Sequence, residues 1–151
     1  MKKETLTTKR EKLSDQYAIA TKAGQLIFIS GKCAIKPDGT PIGLRDLDEE
    51  AQKLLSDGYH VPSDSLEGPI KAQTYWIYSY IRDVLKENGC MLDDILKANI
   101  YLVNINEFPL VNKVRKLFFP KNPPASTIVG VTGLCPVGAR IEIEVIALKP
   151  E

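Results

Sequence analysis

The chain has 151 residues, 44% of them hydrophobic and 26% charged, with a formal net charge of +1. That is the make-up of one globular domain able to bury its own core, and it argues against nucleic acid as a partner, which calls for a basic excess or a basic stripe. No apolar run approaches the roughly 20 residues that cross a bilayer, and the N-terminus lacks the apolar core of a secretory signal. Cys33, Cys90 and Cys135 are odd in number without CxxC spacing, and His60 is the sole histidine. Neither a disulfide framework, a zinc site nor a Ser-His triad is therefore indicated. The chain reads as cytoplasmic and reduced, with no membrane partner.

Residues 1–14 are polar and read as a flexible tail, with a single domain over 15–151. Tyr17 to Ala23 and Gln25 to Ser30 are predicted strands joined at Ala23-Gly24. The run Leu26-Ile27-Phe28-Ile29 predicts burial on both faces. After the Pro37-Asp38-Gly39 turn signal, an extra segment at about 43–67 carries scattered leucines over Leu44 to Leu55, enough for a helical turn or two. Ser56-Asp57-Gly58 and Val61-Pro62-Ser63-Asp64 follow as breakers.

Gly68 to Asn88 is the clearest helix. Pro69 suits its first turn, Ile70, Thr74, Ile77, Ile81, Val84 and Leu85 form its apolar stripe, and Gly89 is placed to stop it. Lys97 to Val103 reads as a strand. Asn106 is predicted to cap a second helix over Phe108 to Phe118, with Leu110, Val111, Val114, Leu117 and Phe118 inward and Pro120 to Pro124 ending it. Ser126 to Val131 and Ala139 to Leu148 are the last strands. The expected fold is α+β, a two-layer sandwich of a mixed β-sheet with two helices on one face. Ile141, Ile143, Val145 and Ala147 are apolar on one side of the last strand, and Ile146 and Leu148 on the other, so the second sheet face is expected to be covered by another subunit.

The hairpin from Gln16 to Gly31, the connection from Gly89 to Lys97, the Asn106-Glu107-Phe108-Pro109-Leu110-Val111-Asn112 and Phe118-Phe119-Pro120 segments, and Pro124-Ala125 with Ile141-Glu142-Ile143-Glu144 occur in an order that resembles the RidA/YjgF family. These reactive-intermediate deaminases are also labelled endoribonuclease L-PSP. The resemblance spans about 110 residues. It implies a chorismate-mutase-like fold, a homotrimer whose sheets face a central barrel, and ligand clefts between subunits. It further implies hydrolysis of a small imine, enamine or related metabolite with no cofactor and no metal.

Carried over residue by residue, the resemblance makes Glu142 the catalytic carboxylate that positions water or relays protons. By spacing alone, Glu142 is equally a solvated partner of Glu144. Gly31 matches a glycine whose N–H faces the ligand, with strand-end packing as the plainer reading. Tyr17 matches a pocket wall, Asn112 a polar helix residue near the pocket, and Ser30 its polar rim. Cys135 is read as a packing residue near the cleft. Ser126 is the departure, because deaminating relatives carry an arginine there that clamps the substrate carboxylate. Arg140 and Arg45 are candidate substitutes, each also readable as a solvated surface residue. An alternative function follows from Ser126: a trimeric small-molecule-binding or regulatory module without catalysis. RNA cleavage gains nothing from the composition.

Overall fold

The computed structural model describes residues 2–56 and 67–151. The expected breakers at 57–58 and 61–64, and His60, lie outside the described residues. Six strands form one sheet: β1 (Lys3–Leu6), β2 (Ala20–Ala23), β3 (Leu26–Cys33), β4 (Ile95–Leu102), β5 (Ala125–Gly130) and β6 (Ile141–Leu148). Their order is β1-β2-β3-β6-β4-β5, with β4 and β5 parallel and every other pair antiparallel. Three helices, α1 (Glu49–Leu55), α2 (Gly68–Glu87) and α3 (Phe108–Phe118), complete an α+β fold.

The two long helices form where the apolar spacing placed them. Every stripe residue of α2 named above is buried. Pro69 lies in its first turn, and Gly89 at φ +77° provides the left-handed residue just beyond its end. This stripe packs on alternate residues of β6, where Ile141 and Ile143 are wholly buried beside Val145 and Ala147. Each such isoleucine contributes about 1.5–3 kcal/mol by leaving water. Behind this layer, Leu44, Leu55, Ala72 and Val114 make a second cluster that seats α1 against α2 and α3. The helical turns expected over Leu44 to Leu55 are a 3-10 turn at Leu44–Asp46 and α1, the latter capped by the Asp48 side chain accepting from the Ala51 N–H.

Several expectations are corrected. Residues 3–6 of the expected flexible tail are β1, paired Lys3 to Ala23 and Leu6 to Ala20. The remainder of that segment is tied down by Arg10 to Asp83 at 2.7 Å and by the Lys9 N–H donating to Glu87 at 2.8 Å. β2 begins at Ala20, leaving Tyr17 outside it. Leu26 and Phe28 are exposed while Ile27 and Ile29 are buried, so in the single chain β3 has one buried face. Asn106 caps nothing. Glu107 occupies the N-terminal position of α3 without a side-chain bond, and Asn104 accepts from the Asn106 N–H to open a 3-10 turn at Ile105–Glu107. Leu117 faces outward, so α3 buries Val111 and Val114 fully and Leu110 and Phe118 in part. Among the described residues, the turns expected over Leu44 to Leu55 thus add a third helix, α1, to the two expected on the sheet.

Candidate functional site

β3 and β6 pair regularly up to Ile29–Val145 and resume at Lys32–Ile143, so Ser30 and Gly31 drop out of the ladder together. This bulge re-aims the strand. It leaves Cys33 directly opposite Glu142, near the start of β6. The start of β6 is itself fixed from α2: the buried Gln73 amide accepts from the Arg140 N–H at 2.9 Å and donates to the Gly138 carbonyl at 3.2 Å. One buried side chain thus bonds two backbone groups and holds the strand end that carries Glu142.

The Glu142 carboxylate lies over Gly31. A Cβ at position 31 would overlap Glu142 Oε1 and stand 2.9 Å from its Cδ. Only glycine leaves the carboxylate where it is. The Cys33 thiol donates to Glu142 Oε2 at 3.4 Å. Burial first, and then the neighbouring Glu142 charge, push that thiol up to about 12, so it remains a protonated donor at neutral pH. Ser30 is positioned by its hydroxyl donating to the Ala18 carbonyl at 2.6 Å and its N–H donating to the Ile19 carbonyl at 3.0 Å.

Tyr17, Ser30, Gly31 and Glu142 line one cleft of about 430 Å³, joined by Lys32, Cys33, Ile35, Cys135 and Pro136. Lys32 was not anticipated. It is ion-paired with Glu11 and sits 4.5 Å from the centre of the Tyr80 ring, while the Tyr80 hydroxyl donates to Glu11 at 2.7 Å. Burial, followed by the Glu11 bond, raises the Tyr80 phenol far above its ordinary value. The N-terminal segment thus holds the cleft residue Lys32 through Glu11.

Asn112 and Ser126 lie elsewhere. Ser126 pairs with the buried Ala98 and therefore faces the helix side of the sheet, whereas Glu142 pairs with Tyr101 on the open side. The residue that joins them is Arg115, whose guanidinium donates to Asn112 Oδ1 at 3.3 Å and to Ser126 Oγ at 3.1 Å. It had a signal in the sequence, because Asn112 and Arg115 are three apart on one helix face. Arg140 is engaged: it ion-pairs with the buried Glu107 and also donates to it through Nε at 3.3 Å. Arg45 sits in the 3-10 turn at Leu44–Asp46, with its side chain exposed.

The fold and cleft define a class: an α+β domain with one carboxylate poised over a strand bulge and a thiol holding its second oxygen. Comparison with known proteins narrows this further. The family model described as endoribonuclease L-PSP matches residues 58–149. A protein of Pyrococcus abyssi named for the RutC family is 31% identical over 150 residues, covering 99% of each chain. A 2-iminobutanoate/2-iminopropanoate deaminase of Dermatophagoides farinae is 36% identical over 86 residues, 57% of this chain and 66% of that protein. A solved Klebsiella pneumoniae structure bearing the endoribonuclease name superposes with a TM-score of 0.81 at 35% identity, covering 87% of this chain and 99% of the other. The chain belongs to the endoribonuclease L-PSP family, the RidA/YjgF family.

Proposed function

We propose that the protein is a deaminase of the RidA type, hydrolysing a small imine or enamine to the carbonyl compound and ammonia, with Glu142 as its acid–base group. The observation that carries this reading is the Glu142 carboxylate lying over Gly31 at the floor of the Tyr17–Cys135 cleft, with one oxygen held by Cys33. The other oxygen, Oε1, is left to accept a proton from water as its oxygen attacks the C=N carbon. The C–O bond forms, the C=N electrons go to nitrogen, and that nitrogen takes the proton from Glu142, which leaves the carboxylate ionised again. Collapse of the resulting carbinolamine returns the hydroxyl proton to Glu142 and then to the departing amine. Water and substrate balance carbonyl product and ammonia, and no cofactor enters. The deaminase name of the mite relative supports the same chemistry.

The working unit in this reading is a cytoplasmic homotrimer with its three sheets around a central barrel. Two observations support a second copy. Leu26, Phe28, Val129 and Leu148 leave apolar surface exposed on the molecule. Glu142 and Ser126 face opposite sides of one sheet, so one site containing both needs a neighbouring chain. Ser126 favours a second reading, a trimeric binding or regulatory module, because a neutral hydroxyl stands at the clamp position.

The test is ammonia release from freshly generated 2-iminopropanoate. Wild type should accelerate it and Glu142→Gln should lose about 10²–10⁴-fold. A wild type that binds small 2-oxo acids without accelerating the reaction would establish the binding module instead.

A further inference from the structure

We propose that Arg115, delivered from α3, is the anion anchor of this chain and binds the carboxylate of its substrate. Arg10 and Arg82 share the Asp83 carboxylate, and Arg140 pairs with Glu107. Arg115 is held only by neutral oxygens, those of Asn112 and Ser126, and no carboxylate pairs with it among the described residues. Neutral acceptors orient a guanidinium without cancelling its charge, and two bonds leave three of its five N–H donors available.

Its surroundings select the same ligand. Arg115 lines a hollow of about 640 Å³ with Asn112, Lys116 and Lys121, and no acidic residue borders it. Phe119 and Pro123 provide apolar walls. A planar, singly charged carboxylate fits a three-donor fork flanked by two ammonium groups.

Ser126 then has a positive role. Its hydroxyl does not replace a clamp but holds one that arrives from the neighbouring helix, so the charge expected on β5 is restored by α3. The identity of the ligand rests on the deaminase reading. The hollow lies on the helix side of the sheet, and it serves the Glu142 cleft of an adjacent copy.

Binding measurements separate the two ideas. By calorimetry, wild type should bind pyruvate, the acid left by hydrolysis of 2-iminopropanoate, more tightly than uncharged pyruvamide. Arg115→Gln should weaken pyruvate about 10- to 100-fold, the loss of a charge-assisted pair, and leave pyruvamide unchanged. The double variant Arg115→Gln/Ser126→Arg should recover most of the pyruvate affinity by moving the guanidinium back to β5. Glu142→Gln should bind pyruvate like wild type. Absence of pyruvate binding by wild type, pyruvate affinity unchanged in Arg115→Gln, or an equal loss for pyruvamide would each overturn the proposal. Pyruvate binding through Arg115 without ammonia release would uphold it and reject the deaminase reading alone.

Discussion

Replacing Gly31 by alanine tests whether the glycine exists for the carboxylate. The residue does not have a positive φ, so alanine costs no backbone strain and the whole effect is steric. The added methyl group would overlap Glu142 Oε1 and stand 2.9 Å from Cδ, where ordinary carbon contacts are about 3.5–4.0 Å. The carboxylate must therefore retreat by about 1 Å, leaving its rotamer well at about 0.5–1.5 kcal/mol and giving up the Cys33 bond at about 1 kcal/mol. The predicted stability loss is about 1.5–2.5 kcal/mol by urea unfolding. A displacement of that size at a reacting group costs about 10²-fold in turnover. The effect should fall on kcat, because the Arg115 anchor is untouched. In a Glu142→Ala background the methyl meets nothing of the carboxylate, so the same substitution should cost less than about 0.5 kcal/mol, a coupling that a double-mutant cycle reads directly. Gly31→Ala with wild-type kcat, or with the same stability cost in both backgrounds, would refute the reasoning.

Two further expectations concern assembly and thiols. Mixing Glu142→Gln with Arg115→Gln under conditions that exchange subunits, at substrate far below KM where both variants are impaired, should restore about a quarter of wild-type ammonia release, since random pairing leaves that share of interfaces with both groups intact; no recovery would place both groups in one chain's site. Iodoacetamide at pH 8 should label the exposed Cys135 first and spare Cys33, whose thiol burial pushes up to about 12. The alkaline limb of stability follows with the same sign. Cys33 is neutral in both states below the ordinary 9.0, so its contribution is intact there and is lost as pH rises from 9.0 toward about 12, when the unfolded thiol ionises and the folded one does not. Urea midpoints for wild type and Cys33→Ala should diverge over that window.

Local pattern was enough to read α2, α3, β4 and β6, because each carries a long apolar repeat whose burial dominates its energetics. The tail was misread for the opposite reason. β1 is an edge strand of Lys-Glu-Thr-Leu, exposed along most of its length, so its pairing leaves almost no hydropathy signal. Asn106 looked like a cap because it precedes Phe108 by two positions, but the Asn104 side chain opens a 3-10 turn first and moves the helix entry to Glu107. At the site, Tyr17, Ser30, Gly31 and Glu142 were legible through resemblance, and the structure unites them. Arg115 is nearer to Ser126 in sequence than Arg140 is, so sequence distance does not distinguish them; only the fold does, by committing Arg140 to Glu107 and bringing Arg115 from α3 to Ser126 Oγ at 3.1 Å.

In the proposed reaction Glu142 performs the chemistry and Arg115 the binding. The most direct test measures, on one preparation of Glu142→Gln, both pyruvate affinity and the rate of 2-iminopropanoate hydrolysis. The prediction is wild-type affinity with a rate about 10²–10⁴-fold lower. Wild-type hydrolysis by this variant, with affinity retained, would contradict the claim.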